Sequence, residues 1–412
     1  MKRFISAAIA ALLLLPLVFV FSSCENEGGG VTTLYVYNWG EYISDGSDDS
    51  LDSNAAFEEW YYEEYGEHVK VNYSTFSSNE DLYAKIKSGT VNYDIIVPSD
   101  YMIARMIEED MLVPLDYDNI PNIENLSEDF FGENVIYDYY DKGNVYSVPY
   151  LYGMIGIIYS TDIVDEDCEN IGSWDLMWDE DYAGNILQFN NSRDAFGTAQ
   201  YKLGISVNSD DEDDWITALE ELKTQKKILQ GYVMDEIYNK MENGSAAISA
   251  YYAGDYLTMY EENDALEFFY PEEGTNLYID AMCIPKSSEN KIIAERYINF
   301  MLSEEPAIAN AEYTYYASPN KLVYENEEYI EYMEEIKEGG FDIMYPEGVK
   351  VESYENLSPE KLALVNNLWE ELKSDMEISV GIYVICIIIV VTLAGLGIFF
   401  GVRNFLRKKK YS

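Results

Sequence analysis

From Thr33 onward, short apolar runs alternate with stretches whose apolar residues recur at helical spacing. Leu34-Tyr35-Val36-Tyr37-Asn38-Trp39 reads as a strand. A helix follows with Phe57, Trp60, Tyr61 and Tyr65 at helical spacing, Ser53 as its cap and Gly66 as its end. Val69 to Phe76 predicts a second strand. A short helix then carries Leu82 and Ile86 on one face and closes at Gly89. Asp94-Ile95-Ile96-Val97-Pro98 predicts a third strand, apolar enough to be covered on both faces. Three strands joined by two helices predict a doubly wound α/β lobe, in which ligands bind beyond the carboxyl ends of the strands.

A second α/β series begins near Gly153. Its predicted strands are Asn185 to Phe189, Ala246 to Tyr252 and Leu266 to Tyr270. Its helices include Asp213 to Lys226 and Asp235 to Asn243. Tyr278 to Pro285 reads as a strand returning to the first lobe. Ser358-Pro359 opens a last helix with Leu362, Val365, Trp369 and Leu372 on one face.

Two apolar segments stand outside this pattern. Lys2 and Arg3 precede an apolar run from Phe4 to Phe21 and then Ser22-Ser23-Cys24, which is a signal-peptide layout. Ile378 to Val402 carries no charge, long enough to span a hydrocarbon core of roughly 30 Å. Arg403, Arg407, Lys408, Lys409 and Lys410 follow it, so the tail is expected in the cytoplasm and the body outside. The expected layout is therefore a signal peptide over 1–23, a lipid-anchor linker over 24–32, the body, a membrane helix over 378–402 and a basic tail over 403–412. The lipid bilayer is thus an expected partner.

Composition narrows the chemistry. There are 76 Asp and Glu against 26 Lys and Arg, a formal charge of −50, together with 39 Tyr. That charge argues against nucleic acid, whose phosphates need a basic surface. It raises the local concentration of cationic ligands. Cys168 and Cys283, the only cysteines of the body, leave room for one disulfide but no framework of pairs. His68 is the only histidine and reads as a loop residue, so triad chemistry and a zinc site both lack their usual groups. No phosphate-cradling glycine loop is present. No cofactor, no metal and no catalytic residue is expected. Carboxylate-only chemistry such as glycoside hydrolysis stays open.

What remains is aromatic residues beside carboxylates at strand ends. Trp39, Glu41 and Tyr42 form one group, Tyr101 follows Ser99-Asp100, and Asp280 follows Tyr278. Carboxylates hydrogen-bond an alkyl ammonium, and aromatic faces attract it by roughly 0.5–2 kcal/mol per contact.

Six stretches carry a family resemblance: Leu34 to Ile43, Tyr73 to Glu80, Asp94 to Tyr101, Tyr146 to Tyr150, Ser173 to Leu176 and Asp280 to Pro285. A further match lies at Ser318-Pro319-Asn320. In order and spacing they resemble the spermidine/putrescine-binding proteins of ABC importers over about Thr33 to Asp375. The resemblance implies a two-lobed α/β clamp of the type II periplasmic-binding-protein kind, with one lobe over 33–153 and 279–325 and the other over 154–278 and 326–375. It implies closure about strands near Gly153 to Tyr159 and Tyr278, capture of a polyamine at the outer face of a bacterial cytoplasmic membrane, and delivery to an ABC permease and its ATPase.

The resemblance also implies roles. Trp39, Tyr42 and Tyr101 line the cleft, Ser99 sits at its rim and caps a helix, and Glu41 lies near a ligand nitrogen. Asp194 and Asp280 hold amines. Tyr252 and Tyr278 occupy aromatic positions usually filled by Trp, and Tyr316 is a further aromatic. Asn191 stands where an Asp is usual, and Glu355 where a Gln is usual. Arg193 is expected to pair with a local carboxylate. The Cys24 context resembles a lipobox, which implies acylation there. A membrane tail is not typical of the family. The same clamp around a ferric ion, an amino acid or a sugar remains the alternative, as does a carboxylate-dependent extracellular hydrolase.

Overall fold

The computed structural model describes residues 30–132 and 135–374. The expected signal peptide, Cys24, the membrane helix over 378–402 and the basic tail lie outside the described residues. Among the described residues no helix is long and apolar enough to cross a membrane.

Ten strands build the sheet: β1 (Thr32–Trp39), β2 (Val69–Phe76), β3 (Ile95–Ile96), β4 (Ser147–Ser160), β5 (Ile186–Phe189), β6 (Leu229–Val233), β7 (Ile248–Tyr252), β8 (Leu266–Phe269), β9 (Thr275–Cys283) and β10 (Val351–Glu352). Their order is β2-β1-β3-β9-β4-β7-β5-β6, with β10 on β9 and β8 on β4. The β1–β2, β1–β3, β5–β6 and β5–β7 pairs are parallel. β9 meets β3 and β4 antiparallel. Two parallel α/β halves are thus joined through antiparallel crossing strands, the mixed two-lobed architecture the sequence implies.

The crossing differs from the sequence expectation. No second series starts at Gly153; β4 runs unbroken through that point. Its front half, Ser147 to Met154, pairs with β9. Its back half, Ile155 to Ser160, pairs with β7 and β8. Pro149 hides the strand in the sequence, because proline cannot donate to a ladder. Here it sits where the register shifts between Pro149 and Leu151, the irregularity that accommodates it.

Local signals explain most helices. The Ser53–Tyr65 helix buries Phe57 and Tyr61 and ends on Gly66 at φ 69°, a left-handed turn that costs glycine little. Its cap is Asp52, whose side chain accepts from Ala55 N–H, rather than Ser53. The Pro359–Ser374 helix is capped by Ser358, whose Oγ accepts from Lys361 N–H. It buries Val365, Leu368 and Leu372 against the Glu212–Lys226 helix, where Phe196 and Trp215 complete the core. Each such side chain contributes roughly 1.5–3 kcal/mol on burial. Leu362 stays half exposed, so the buried stripe is narrower than expected. A separate core under β1 to β3 holds Tyr37, Phe76, Leu82, Ile96 and Met102. Cys168 and Cys283 are both free, so no disulfide joins them. His68 is exposed and stacks on Tyr62, with centroids 4.3 Å apart.

Candidate functional site

β1, β3, β5 and β7 end around one cleft of about 1370 Å³, and β9 runs past it, contributing Asn276, Tyr278 and Asp280. Parallel strands deliver their carboxyl ends to one side of a sheet, so residues distant in sequence converge there. β1 ends at Trp39, and the turn that follows holds Glu41 at φ 49°. That turn leaves Glu41 exposed at the mouth and sends the Tyr42 phenol inward.

Asp280, on β9, is 4% exposed. Its Oδ2 accepts from the Tyr42 phenol at 2.8 Å and its Oδ1 from Ser99 Oγ at 2.6 Å. Burial pushes its pKa up to about 6, against the opposing pull of these two donors. Trp39 lies close enough to favour the charged form, while its own indole N–H is buried without a hydrogen-bond partner. Ser99 occupies the cap position of the Asp100–Glu108 helix, but its hydroxyl makes no capping bond. It goes to Asp280 instead, which corrects the expected double role. Asn79 holds Ser99 in place, donating to its Oγ and accepting from its N–H, both at 3.0 Å.

The second anchoring carboxylate comes from the other half. Asn191 caps the Ser192–Leu203 helix by accepting from Asp194 N–H at 2.9 Å. Its amide also donates to Asp194 Oδ2, which accepts from the Tyr252 phenol at 2.8 Å. Burial raises the Asp194 pKa. Between the two carboxylates runs an aromatic wall. Tyr252 and Tyr278 meet edge to face at 5.2 Å, Tyr278 and Tyr316 at 6.4 Å, and Tyr316 and Tyr42 at 4.9 Å. Such edge-to-face pairs add about 0.5–1.5 kcal/mol each to burial. The Tyr278 hydroxyl is buried without a partner. Gly153 makes room for it: a Cβ there would lie 2.5 Å from that hydroxyl.

Every site residue expected from the sequence lines this cleft except Glu355. Glu355 is exposed, with its N–H on Asn208 Oδ1 at 2.8 Å. Its neighbour Tyr354 takes the place at the cleft wall. The stretch between β10 and the last helix is irregular, so no periodicity decides which of two adjacent side chains faces inward. Arg193 also departs from expectation. Its Nη2 donates to Asn208 Oδ1 at 3.2 Å, and its guanidinium lies 4.5 Å over the Tyr354 ring rather than on a carboxylate.

Asp255, at the cleft, was not singled out from the sequence, and Asp100 only as a neighbour of Tyr101. Asp255 accepts from the Tyr238 phenol at 2.8 Å, and burial raises its pKa to about 7. It stands in the first turn of the Ala253–Glu262 helix directly after β7, so searching the end of that strand for carboxylates would have reached it. Asp100, 1% exposed, accepts from Tyr139 and from Tyr101 N–H, with its pKa pushed by burial to about 7. Arg193 is the only basic side chain among the cleft-lining residues. The arrangement suits an elongated cation with an apolar middle.

Comparison with known proteins agrees. The family described as bacterial extracellular solute-binding protein matches residues 55–336. A spermidine/putrescine-binding periplasmic protein of Salmonella typhimurium is 32% identical over 70% of this chain and 78% of its own length. The solved structure of a candidate spermidine/putrescine ABC transporter protein from Listeria monocytogenes superposes with a TM-score of 0.72 and 33% identity. It covers 84% of this chain and all of that one. The spermidine/putrescine ABC transporter substrate-binding protein of Streptococcus pneumoniae, solved with calcium and HEPES, gives 0.66 and 34% over 83% and 98%. The chain belongs to the bacterial extracellular solute-binding protein family.

Proposed function

We propose that this protein captures a linear polyamine, spermidine or putrescine, outside the cytoplasmic membrane and hands it to an ABC permease driven by its ATPase. The observation that carries the reading is the aromatic wall from Tyr252 to Tyr42 with Asp194 at one end and Asp280 at the other. Carboxylates accept the terminal ammonium groups, and each still has lone pairs beyond those its phenol partner uses. Ring faces cover the methylenes between them and attract the cation. The names of the relatives support the same ligand class. Binding rather than catalysis is the role that follows from membership of a solute-binding family.

Closure is part of the proposal. The cleft exceeds the ~300–1,000 Å³ usual for small-molecule sites, which supports an open state with room to close. The lobes are assigned to 33–153 with 279–325 and to 154–278 with 326–375. β4 and β9 serve as the hinge, since both run through the two halves. The apolar run Ile378 to Val402 and the Cys24 context support attachment of the body to the outer face of the membrane.

Trp39 fluorescence tests the reading, because the indole lies in the cleft. Titration with spermidine or putrescine should change the emission of the parent, and the change should vanish in Trp39→Phe. A folded parent whose emission and melting temperature ignore both polyamines would refute the proposed ligand.

A further inference from the structure

Arg193 is a buried cation in a cleft built for cations. It is 6% exposed, in the first turn of the Ser192–Leu203 helix. Tyr354 lies against its guanidinium at 4.5 Å and Tyr101 at 5.9 Å. Its Nη1 is buried with no hydrogen-bond partner. A charged donor left unmade is costly, so a state that supplies the missing acceptor gains stability.

The acceptor at hand is Glu80. Tyr101 belongs to the half built on β1 to β3 and faces Arg193 across the cleft with its ring. Its hydroxyl donates to Glu80 Oε1 at 3.2 Å. Glu80 stands on the Asn79–Ser88 helix of that same half and lines the cleft. One tyrosine therefore touches both groups, which do not bond each other in this open arrangement. Their charges already interact: Arg193 favours the Glu80 carboxylate, and Asp194 opposes it, while burial raises the Glu80 pKa overall.

We propose that Glu80 and Arg193 form an ion pair across the cleft when the two halves close, a latch that positions Tyr101 and holds the ligand in. The latch is coupled to loading. Without ligand, the Asp194 carboxylate beside Arg193 repels Glu80 and opposes closure. An ammonium seated on Asp194 cancels that repulsion, so the cation itself favours the closed state. The inference rests on the reading that a cationic ligand reaches Asp194. Glu80 and Arg193 are positioning residues; neither needs to touch the ligand.

Stopped-flow fluorescence on the full chain with spermidine and with putrescine tests it, using Glu80→Gln, Arg193→Met and the double variant. A latch acts on release more than on encounter. Dissociation should therefore quicken about tenfold in Glu80→Gln, with association within about twofold of the parent. The double variant should release no faster than the faster single one, since one interaction is lost only once. Should Arg193→Met fail to fold by circular dichroism, the cleft-lining Glu80→Gln decides alone. A parent that binds while Glu80→Gln releases at the parental rate overturns the latch and leaves the functional reading standing. So do single effects that multiply in the double variant. A parent that binds neither polyamine overturns the functional reading, and the latch with it.

Discussion

Tyr42 and Asp280 lie 238 residues apart in sequence, yet the phenol of one donates to the carboxylate of the other at 2.8 Å. The bond ties the turn after β1 to β9 and leaves the Asp280 carboxylate aimed into the cleft before any ligand arrives. Fixing the acceptor in advance lowers the ordering cost of binding.

Asp280→Asn should therefore weaken polyamine binding by about 30- to 100-fold, the range for loss of a hydrogen bond to a charged group. One of the Tyr42 and Ser99 hydroxyls can still donate to the amide oxygen while the other accepts from the amide nitrogen, so the fold should survive. Melting should stay within a few degrees of the parent, because a buried charge is removed rather than created. Circular dichroism and calorimetry on the same sample check both halves of the statement.

Binding should depend on pH between about 5 and 8. Burial raises Asp280 to about 6 and Asp255 and Asp100 to about 7. An ammonium ligand prefers the ionised carboxylates, so affinity should rise with pH through that window, and binding near pH 6 should release protons. The same shifts act oppositely on the empty protein. A carboxyl that holds its proton more tightly folded than unfolded stabilises fully below about pH 4, and this contribution is lost as pH rises through 6 to 7. The ligand-induced rise in melting temperature should thus be larger near pH 7.5 than near pH 5.5.

Tyr252→Phe removes one of the side-chain donors to Asp194 and little else. It should weaken binding by about three- to tenfold, about 1 kcal/mol for one hydrogen bond. Glu355→Ala, by contrast, should leave affinity within about twofold, since that carboxylate is exposed and outside the cleft. Titration of both variants separates placement in the cleft from position in the sequence.

Those two residues also mark how far the sequence could be read. Tyr252, the last residue of β7, was legible through the family resemblance, and Asp280, inside β9, as a carboxylate close to Tyr278 and through the same resemblance. Of the rest of the wall, Tyr42 lies within the six ordered motifs, and Tyr278 and Tyr316 lie two residues before matched stretches. Glu355 was misplaced because an irregular segment has no period to say which side chain turns inward. Asp255 was passed over because one acid among 76 carries no signal by its type alone. Only the front half of β4 escaped detection, through Pro149, whose tolerance depends on a register shift that the paired strands reveal.

Gly153→Ala should reduce both stability and affinity. Its new Cβ would lie 2.5 Å from the Tyr278 hydroxyl and 2.9 Å from the ring carbon that bears it. A tyrosine ring cannot bend away, so it must shift within the wall, at about 1–3 kcal/mol by analogy with overpacked cores. Chemical denaturation and polyamine titration of Gly153→Ala should show the two losses together.

Isothermal titration of the purified chain with spermidine and putrescine, beside lysine and ferric citrate as controls, tests the central claim most directly. The account predicts one-to-one binding of a polyamine that neither control matches and that Asp280→Asn weakens strongly. Binding of lysine or ferric ion in preference to both polyamines, by a folded sample, would contradict it.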